Sequence, residues 1–452
     1  MAPRAAMPAS LTMMAVLGTT GSMRFPHERI RLAQACLLLT AIQGDPERLD
    51  NVLALQRMLI RRIVQCEKRV SRLRRARGRA KRTMATHRLP KERAKRLRAG
   101  IGAIDDRIKE VRHLMFLWRC FGDGIASVYQ SQQALKHLLY DGQHYIKQDA
   151  GTISGKAGFR VEYRVMCTGI RLGVPVVLCD LTNIIRHGDV CALAGPDPFP
   201  MELKSSRMSG ARAQRQHNQL RELHDFYAND GAPSFRGIIN FRRIALKVER
   251  AVHRQDINTC VSRAMEDGVA SVAPEPGLRY IAWRDGTGMS DRLIAKVAEY
   301  HRPQTLVVQL TPESNWLPAY PFTLSLSAAH AWCFMQELVG IVVLIDFAVV
   351  KSLFSSKGMH TIAVMDGDHA LQICYDPADL MKGVYRCNEQ RFLRVACEFE
   401  SLTSFVDETM HLIENLGSTS GEIGPESLGL MTAPPEGWEC VQDIFSQHST
   451  GR

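Results

Sequence analysis

Two short apolar runs joined by a Gly/Pro-rich turn constrain this chain more than any other feature. Residues 188–206 read GDVCALAGPDPFPMELKSS. Clustered glycine and proline favour a tight reversal between two strands. Residues two apart on a strand share a face, so Glu202 and Lys204 project together and the hairpin places Asp189 beside them. We therefore expect two carboxylates and an amine to meet at one end of this hairpin.

Carboxylates beside a lysine suit chemistry on phosphodiester bonds. Carboxylate oxygens are ligands for hard divalent cations such as Mg²⁺. A neighbouring amine can orient a water molecule or stabilise charge that develops on a phosphate. The alternative is an edge hairpin in which Glu202 and Lys204 form a solvated pair. That alternative leaves unexplained why ELKSS ends an otherwise apolar strand just before a Gly/Arg-rich loop.

The hairpin and its surroundings, roughly residues 150 to 230, resemble the PD-(D/E)xK superfamily of nucleases, which have the restriction-endonuclease-like fold. Asp189, Glu202 and Lys204 match the superfamily pattern, and Gly188 stands where many members have proline. The resemblance implies an α/β fold with an αβββαβ core. It also implies hydrolysis of nucleic acid with a bound divalent metal ion.

The segment before the hairpin is similar to the opening of the Holliday-junction-resolvase and Mrr-type branches of this superfamily. Residues 155–162 read GKAGFRVE, so Glu162 matches the glutamate on the helix of the family core. The apolar run at 174–178 would form the strand that follows. By this resemblance, Glu162, Asp189 and Glu202 would hold one or two Mg²⁺ or Mn²⁺ ions. Lys204 would position the attacking water.

A further helix is expected after the Glu-x-Lys strand, at Ala211 to Tyr227. In similar nucleases this helix lies against the substrate backbone, which makes Arg215, Gln216 and Gln219 candidates for nucleic-acid binding. Gln216 and Gln219 are three residues apart and share a helical face. The alternative is a polar face turned to solvent, and the residues alone leave both open.

Positive charge is concentrated in one part of the chain. Residues 57–98 contain 18 Lys/Arg and only two acidic residues, a local charge of +16. The formal charge of all 452 residues is +12, so the rest of the chain sums to −4. Such a concentration favours a polyanionic partner, and phosphate backbones are the obvious candidate.

Two apolar stripes with heptad-like spacing run through this basic region. Stripes of this kind, separated by a short polar turn near residues 83–90, predict two antiparallel helices in a coiled-coil hairpin. At 1.5 Å per residue, each arm of about 30 residues would be roughly 45 Å long. The stripes are Val52, Leu55, Leu59, Ile63, Cys66, Val70 and Leu73, then Ala94, Leu97, Ile101, Ile104, Ile108, Val111 and Met115.

The function of this hairpin has two interpretations. It can be a clamp on nucleic acid, with Arg74, Arg75, Arg77 and Arg79 contacting phosphates. It can also be a solvated dimerisation hairpin whose arginines keep it soluble. Nearly unmixed positive charge favours the clamp, because like charges oppose dimerisation.

After the hairpin, Gly122-Asp123-Gly124 is expected to break the next helix, with Asp123 capping its restart.

Length and patterning predict several segments. A chain of 452 residues with 45% hydrophobic residues has room for two or three domains. We expect an N-terminal segment, the basic hairpin, a nuclease-like core, an α+β C-terminal region and a flexible tail. These correspond to residues 1–48, 49–120, 121–310, 311–416 and 417–452.

The cysteine spacing, the apolar runs and the known nucleotide-binding motifs bear on the cellular location and the class of this protein. The 12 cysteines form no C-x-x-C pair, which argues against zinc ribbons and a disulfide framework and favours a cytoplasmic protein. No apolar run is long enough to span a membrane. The sequence contains no Walker motif, so it gives no indication of ATP binding.

We therefore expect a divalent-metal-dependent endonuclease that acts on DNA rather than RNA. The absence of helicase and methylase motifs favours a defence-associated role. Two alternatives stay open. One is a catalytically silent nucleic-acid-binding protein on the same fold, and the other is an assembly protein, for example a homodimer built through the hairpin.

Overall fold

The computed structural model describes residues 23–140, 150–203, 211–244, 250–284, 291–365, 369–379 and 382–416. Lys204 and the predicted tail at 417–452 lie outside these residues. The described chain is mixed α/β, with a helical N-terminal region and several small antiparallel sheets. This confirms the predicted fold class at that level.

The helices differ widely in length, from one turn to more than ten. They are α1 (Arg29–Gly44), α2 (Leu49–Thr86), α3 (Lys91–Tyr129), α4 (Gln132–Leu135), α5 (Phe159–Arg171), α6 (Ala211–Asn229), α7 (Arg254–Asp267), α8 (Asp291–Tyr300), α9 (Phe322–Ser325), α10 (Ala328–Met335), α11 (Phe347–Ser355), α12 (Glu389–Cys397) and α13 (Leu402–Leu416). Short 3-10 turns occupy Pro26–Glu28, Lys136–Leu138, Cys179–Leu181 and Ser314–Trp316.

The strands belong to four antiparallel sheets. They are β1 (Val176–Leu178), β2 (Val190–Ala192), β3 (Phe199–Met201), β4 (Gly231–Phe235), β5 (Ile238–Arg242), β6 (Val269–Glu275), β7 (Leu278–Arg284), β8 (Thr305–Leu310), β9 (Val339–Asp346), β10 (His360–Ala363), β11 (His369–Cys374) and β12 (Val384–Asn388). The strand orders are β1-β2-β3, β4-β5, β6-β7-β9-β8 and β10-β11-β12.

The predicted helical hairpin is present as α2 and α3, which are 38 and 39 residues long and joined by residues 87–90. The apolar stripe of α2 is buried from Val52 to Val70, and beyond it Leu73 is only half-buried. An ion pair between Arg77 and Asp105, 2.6 Å long, joins the two helices nearer the turn. The hairpin is therefore anchored by apolar packing at its base and is more polar toward its tip.

The expected break at Gly122-Asp123-Gly124 is wrong, because α3 continues through it to Tyr129. The glycines are needed for close packing instead. A Cβ atom on Gly122 would lie 2.0 Å from the carbonyl oxygen of Leu181. Asp123 is not a cap: its Oδ1 accepts the backbone N–H groups of Asn183 and Ile184 at 2.6 and 3.0 Å. The helix thereby fixes the turn that follows β1.

The hairpin predicted from residues 188–206 is present as β2 and β3, which pair antiparallel with Val190 opposite Met201. Strand β1 lies on the other side of β2, with Leu178 opposite Val190. Helix α5 packs against β1 and β2, and α6 packs against β3. Along the chain, these elements follow the order α5-β1-β2-β3-α6.

The sixth element of the expected αβββαβ core is not in this sheet. After α6 the chain forms β4, which pairs only with β5 in a separate two-stranded sheet within the described residues. The strand predicted to complete the core thus forms its own hairpin. Its ring stack of Phe226 on Phe235, with centroids 4.2 Å apart, attaches it to α6.

The chain divides into two compact units, which do not follow the predicted segments. One unit comprises Arg31–Arg242 with Glu313–Leu324, so it contains both the helical hairpin and the β1-β2-β3 sheet. Among the described residues, the other unit contains those within 23–30, 243–312 and 325–416. The boundary we expected at residue 310 thus differs from the division near residue 242.

The second unit is built on the four-stranded sheet, whose strand β9 is almost wholly buried. Trp283, Val342 and Leu344 belong to its apolar cluster. Its polar interior is an ion-pair network in which Arg391 binds both Glu400 and Glu408, at 2.7 and 2.6 Å. No helix among the described residues is both long enough and apolar enough to cross a membrane.

Candidate functional site

Three carboxylates from separate elements meet at one lysine ammonium group in the first unit. Lys156 Nζ lies 2.9 Å from Asp180 Oδ2, 2.9 Å from Asp189 Oδ1 and 3.1 Å from Glu162 Oε2. We call these four residues the acid cluster. Glu162 is buried, and Asp180 and Asp189 expose less than a fifth of their side chains. The cluster is therefore a partly desolvated site with one edge open to solvent.

Glu162 is placed by the first turn of α5. The helix starts at Phe159, after a Lys-Ala-Gly segment, and Val161 and Glu162 both donate their N–H groups to the Gly158 carbonyl. A carboxylate in a first turn is stabilised by the helix dipole. Lys156 lies in the preceding turn, so both residues come from the GKAGFRVE segment that the sequence singled out.

Asp180 lies in the 3-10 turn directly after β1 and was missed by the sequence analysis. Its backbone carbonyl accepts a hydrogen bond from Arg119 Nε at 3.1 Å, and the same arginine donates to the Gly151 carbonyl. The apolar run that ends at Cys179 was a usable signal, because a polar residue directly after a buried strand lies at the sheet edge.

Asp189 is held by two hydrogen bonds to the end of β3 and the residues after it. Its N–H donates to the Met201 carbonyl at 2.8 Å, and its Oδ2 accepts the N–H of Leu203 at 2.8 Å. Gly188 has φ of +80°, and a Cβ atom there would lie 2.9 Å from the Met201 carbonyl oxygen. Proline cannot adopt a positive φ. The backbone at position 188 therefore favours glycine and excludes proline.

The structure brings together only part of the predicted site. Glu162 and Asp189 meet as expected, but the third carboxylate at Lys156 is Asp180 rather than Glu202. Glu202 directly follows β3 and is half-buried. Because Val190 pairs with Met201, the backbone of Glu202 lies beside that of Asp189. Lys204 lies outside the described residues, and the amine inside the cluster is Lys156.

The electrostatics of the cluster favour a charged lysine. Burial lowers the pKa of Lys156, but the carboxylates of Asp180 and Asp189 outweigh it and hold this pKa above its usual value. Burial raises the pKa of Glu162, and Asp189 and Asp180 raise it further, against the opposing effect of Lys156. The three carboxylates thus depend on a cation between them.

The donor set fits a hard divalent cation, with one obstacle. Three carboxylates already converge on a single positive charge, and oxygen donors are what Mg²⁺ and Mn²⁺ prefer. However, no group of three or more His, Cys, Asp or Glu side chains in the described ranges is arranged to hold a metal ion as it stands. Lys156 occupies the centre, so a metal ion would have to displace its ammonium group.

A groove of about 1350 Å³ in the same unit is lined by nine cationic side chains and one carboxylate, that of Glu67. We call it the arginine groove. Six of the cations come from α2, and three come from α3 and the segment after β1. They are Lys68, Arg72, Arg74, Arg75, Arg79 and Arg82, then Arg112, Arg119 and Arg186.

The cations of α2 form one face of the helix. Lys68, Arg72, Arg75, Arg79 and Arg82 recur at steps of four and three, which keeps them on one side of an α-helix. All five are exposed, and none forms an ion pair with a carboxylate in the part of the chain that is described. Their positive charge is therefore not neutralised by carboxylates of the described residues.

Of the four arginines at 74–79 that were predicted to contact phosphates, three line the groove and one does not. Arg74, Arg75 and Arg79 line it, whereas Arg77 does not and is instead paired with Asp105. Helical periodicity explains the difference, since Arg77 is two residues from Arg75 and Arg79 and points to another side of α2.

Glu67 connects the groove to the acid cluster. Its two carboxylate oxygens accept the N–H groups of Ile153 and Ser154 at 3.0 and 2.7 Å. Ser154 lines the groove and lies two residues before Lys156. Arg119 also belongs to both, because it lines the groove and binds the Asp180 carbonyl. The single carboxylate of the groove therefore binds the backbone of the loop that carries Lys156.

The other candidates for nucleic-acid binding lie on α6. Arg215 is exposed, and Gln216 and Gln219 are half-buried. Within the described ranges, no hydrogen bond or ion pair joins these three residues to the acid cluster. Their role stays a prediction.

No protein-family model, no curated protein and no solved structure matches this chain. The resemblance to the PD-(D/E)xK superfamily therefore stays a hypothesis that rests on the chain's own residues.

Proposed function

We propose that this protein is a divalent-metal-dependent nuclease that hydrolyses phosphodiester bonds, with DNA as the substrate. The observation that carries the proposal is the convergence of Glu162, Asp180 and Asp189 on one cation, beside a groove lined by arginines. The order α5-β1-β2-β3-α6 and the position of Asp189 opposite the β3 end support it further.

The chain's own residues have distinct roles in this proposal. Glu162, Asp180 and Asp189 would hold Mg²⁺ or Mn²⁺, with Glu202 and the Leu203 carbonyl as further oxygen donors. The metal ion would supply Lewis-acid stabilisation of the phosphate and a water of lowered pKa. Lys156, once displaced from the centre, would stay close enough to stabilise negative charge on the phosphate. Lys204 is the second candidate for that task.

A cleavage assay tests the proposal. Single-stranded, double-stranded and branched DNA would be incubated with Mg²⁺ or Mn²⁺ and with a chelator. We expect metal-dependent cleavage that Asp189→Asn and Asp180→Asn each abolish. Asp106→Asn is the matched control, because Asp106 is an exposed residue of α3 that pairs with Lys109 at 3.3 Å, away from the acid cluster in the sequence. Full cleavage by Asp189→Asn would refute the assignment.

A second candidate function is supported by Lys156 itself. Its ammonium group neutralises the carboxylates without any metal ion, as expected for a nucleic-acid-binding protein that keeps the fold but does not cut. Isothermal titration with Mn²⁺ separates the two functions. A nuclease would bind Mn²⁺ in a manner that depends on Asp189, and a silent binding protein would not.

A further inference from the structure

We propose that the arginine groove is the binding site for a single strand of nucleic acid, with its phosphates along the cationic face of α2 and its bases against the apolar part of the lining. The identification of the polyanion as nucleic acid rests on the proposed function. The site itself does not require cleavage.

The charge of the groove fits an extended polyanion. Lys68 to Arg82 spans 14 residues of α2, which is roughly 21 Å at 1.5 Å per residue. The five-residue stripe along this length is unmixed in sign, and Arg112, Arg119 and Arg186 bring positive charge from other segments. A row of cations of this length matches several consecutive phosphates rather than one anionic group.

The size and the charge of the groove favour an oligomeric anion over a small ligand. Sites for small molecules enclose about 300–1,000 Å³ and are lined mainly by apolar side chains. The arginine groove measures about 1350 Å³ and nine of its lining side chains are cationic. An oligomeric anion uses both the volume and the charge.

The apolar part of the lining favours a single strand over a duplex. Met115, Phe116 and Leu317 line the same groove as the arginines, and all three are half-buried. The bases of a duplex are stacked inside, whereas a single strand exposes base faces that pack on aromatic and apolar side chains. Arginine beside an aromatic ring is the combination found in sites for single strands.

Gly78 offers a direct test because it lines the groove from the middle of α2. A Cβ atom at Gly78 would meet nothing within 4 Å, so a longer side chain is accommodated in the folded protein. Gly78→Glu would place a carboxylate among Arg74, Arg75 and Arg82, and glutamate also favours helix more than glycine does. Gly102→Glu is the matched control. Gly102 is a helical glycine of α3 with equally open surroundings, and it does not line the groove.

Fluorescence anisotropy with a labelled strand of about 16 nucleotides, the upper end of known site sizes, measures the binding. The buffer contains a chelator, so that metal-dependent cleavage plays no part. We expect the wild type to bind the single strand about tenfold more tightly than the duplex of equal length. We expect Gly78→Glu to weaken binding of the single strand by about tenfold or more and Gly102→Glu to leave it unchanged.

The outcomes separate this proposal from the proposed function. Equal effects of Gly78→Glu and Gly102→Glu would refute the groove as the site, and tighter binding of the duplex would refute the single strand. Binding that depends on Gly78, in a protein that cuts no substrate with any metal ion, would support the groove and reject the nuclease. Circular dichroism of both glutamate variants checks that α2 and α3 are intact.

Discussion

At the scale of single residues, Lys156 is the group on which the candidate site depends. Its ammonium group contacts three carboxylates that would otherwise repel one another. Its side chain is about a third exposed, so its contribution is smaller than that of a fully buried ion pair. The same position makes it the competitor of any metal ion.

We predict that Lys156→Met lowers the stability of the metal-free protein and increases its response to metal. The free energy of unfolding should fall by about 2 kcal/mol, below the 3–5 kcal/mol for breaking a fully buried pair, because solvent screens this site. Mn²⁺ should then raise the melting temperature more in the variant than in the wild type. Thermal unfolding with and without Mn²⁺ measures both effects.

Lys109→Met is the control for this experiment, because Lys109 pairs with the well-exposed Asp106 and should matter little. A Lys156→Met protein with the same response to Mn²⁺ as the wild type would show that the lysine does not occupy a metal position.

A second residue-scale effect concerns Asp123, whose carboxylate is buried in α3. Burial raises its pKa to about 6, although the side-chain and backbone N–H groups of Asn183 and the N–H of Ile184 lower it. Its ordinary pKa of 3.8 applies to the unfolded chain. Between these values the folded protein binds more protons, so this group makes the protein less stable as the pH rises from about 4 to about 6.

We predict that Asp123→Asn removes this pH dependence. The two-unit difference in pKa corresponds to about 2 kcal/mol between pH 4 and pH 7, because the unfolded carboxyl is already partly ionised at pH 4. Urea denaturation of wild type and variant at both pH values gives the change in unfolding free energy. The variant loses part of its hydrogen bonding at every pH, so the comparison uses the slope with pH and not the absolute value. Identical slopes would contradict a raised pKa for Asp123.

At the scale of elements, the site depends on how closely α3 approaches the turn after β1. Gly122 permits this approach, because a side chain there would collide with the Leu181 carbonyl oxygen. Arg119 and Asp123, one turn apart on the same helix, bind the Asp180 carbonyl and the N–H groups of Asn183 and Ile184. Helix α3 is therefore the element that places Asp180 in the cluster.

We predict that Gly122→Ala destabilises the protein by about 3 kcal/mol, the upper end for inserting a methyl group into a packed interior. The added Cβ atom would lie 2.0 Å from backbone rather than from a flexible side chain, so the turn itself would have to move. Metal binding by the acid cluster should weaken with it. Chemical denaturation and Mn²⁺ titration are the measurements.

Gly102→Ala in the same helix has open space around it and should be stabilising by about 0.8 kcal/mol, from helix propensity alone. If the two alanine variants were equally stable, the close contact at Gly122 would be refuted.

At the scale of the whole molecule, the charge is divided between one basic region and a mildly acidic remainder. The basic region contributes +16 to a total of +12. Its groove-facing arginines have no carboxylate partner among the described residues, whereas Arg391 in the second unit is neutralised by Glu400 and Glu408. Binding of nucleic acid should therefore depend on α2 and strongly on salt.

We predict that replacing Arg72, Arg75 and Arg79 with glutamine flattens the salt dependence of nucleic-acid binding. Each lost phosphate contact changes the slope of log affinity against log salt concentration by about 0.7 for a single strand. The triple variant should therefore lose about two units of slope. Anisotropy titrations over a range of KCl concentrations give this value.

Arg77→Gln serves as the internal control, because Arg77 is paired with Asp105 and does not line the groove. Loss of the Arg77–Asp105 ion pair should slightly lower the stability of the hairpin. The slope of log affinity against log salt concentration should stay unchanged. A triple variant with unchanged slope but altered oligomeric state would favour the dimerisation interpretation of the hairpin.

Local patterns in the sequence determined the elements of this protein. The heptad stripes predicted α2 and α3, and the Gly/Pro turn with its flanking apolar runs predicted β2 and β3. The helices that bear Glu162 and Gln216 lie where the resemblance to the nuclease superfamily led us to expect them, whereas the hairpins were predicted from local patterns. These predictions succeed because periodicity and turn chemistry act between residues close in the chain. The resemblance to the nuclease superfamily, and not a local pattern, was the reason to expect Asp189 and Glu162 in one site.

The tertiary structure alone decided which residues complete that site. Lys156 lies 24 residues from Asp180 and 33 residues from Asp189 along the chain, and only the packing of α3 and α5 on the small sheet brings them together. The continuity of α3 through Gly122-Asp123-Gly124 has the same origin, because the contact with Leu181 is what makes those glycines necessary. Close packing between distant segments leaves no periodic signal, so the sequence by itself could not reveal the lysine at the centre of the carboxylates.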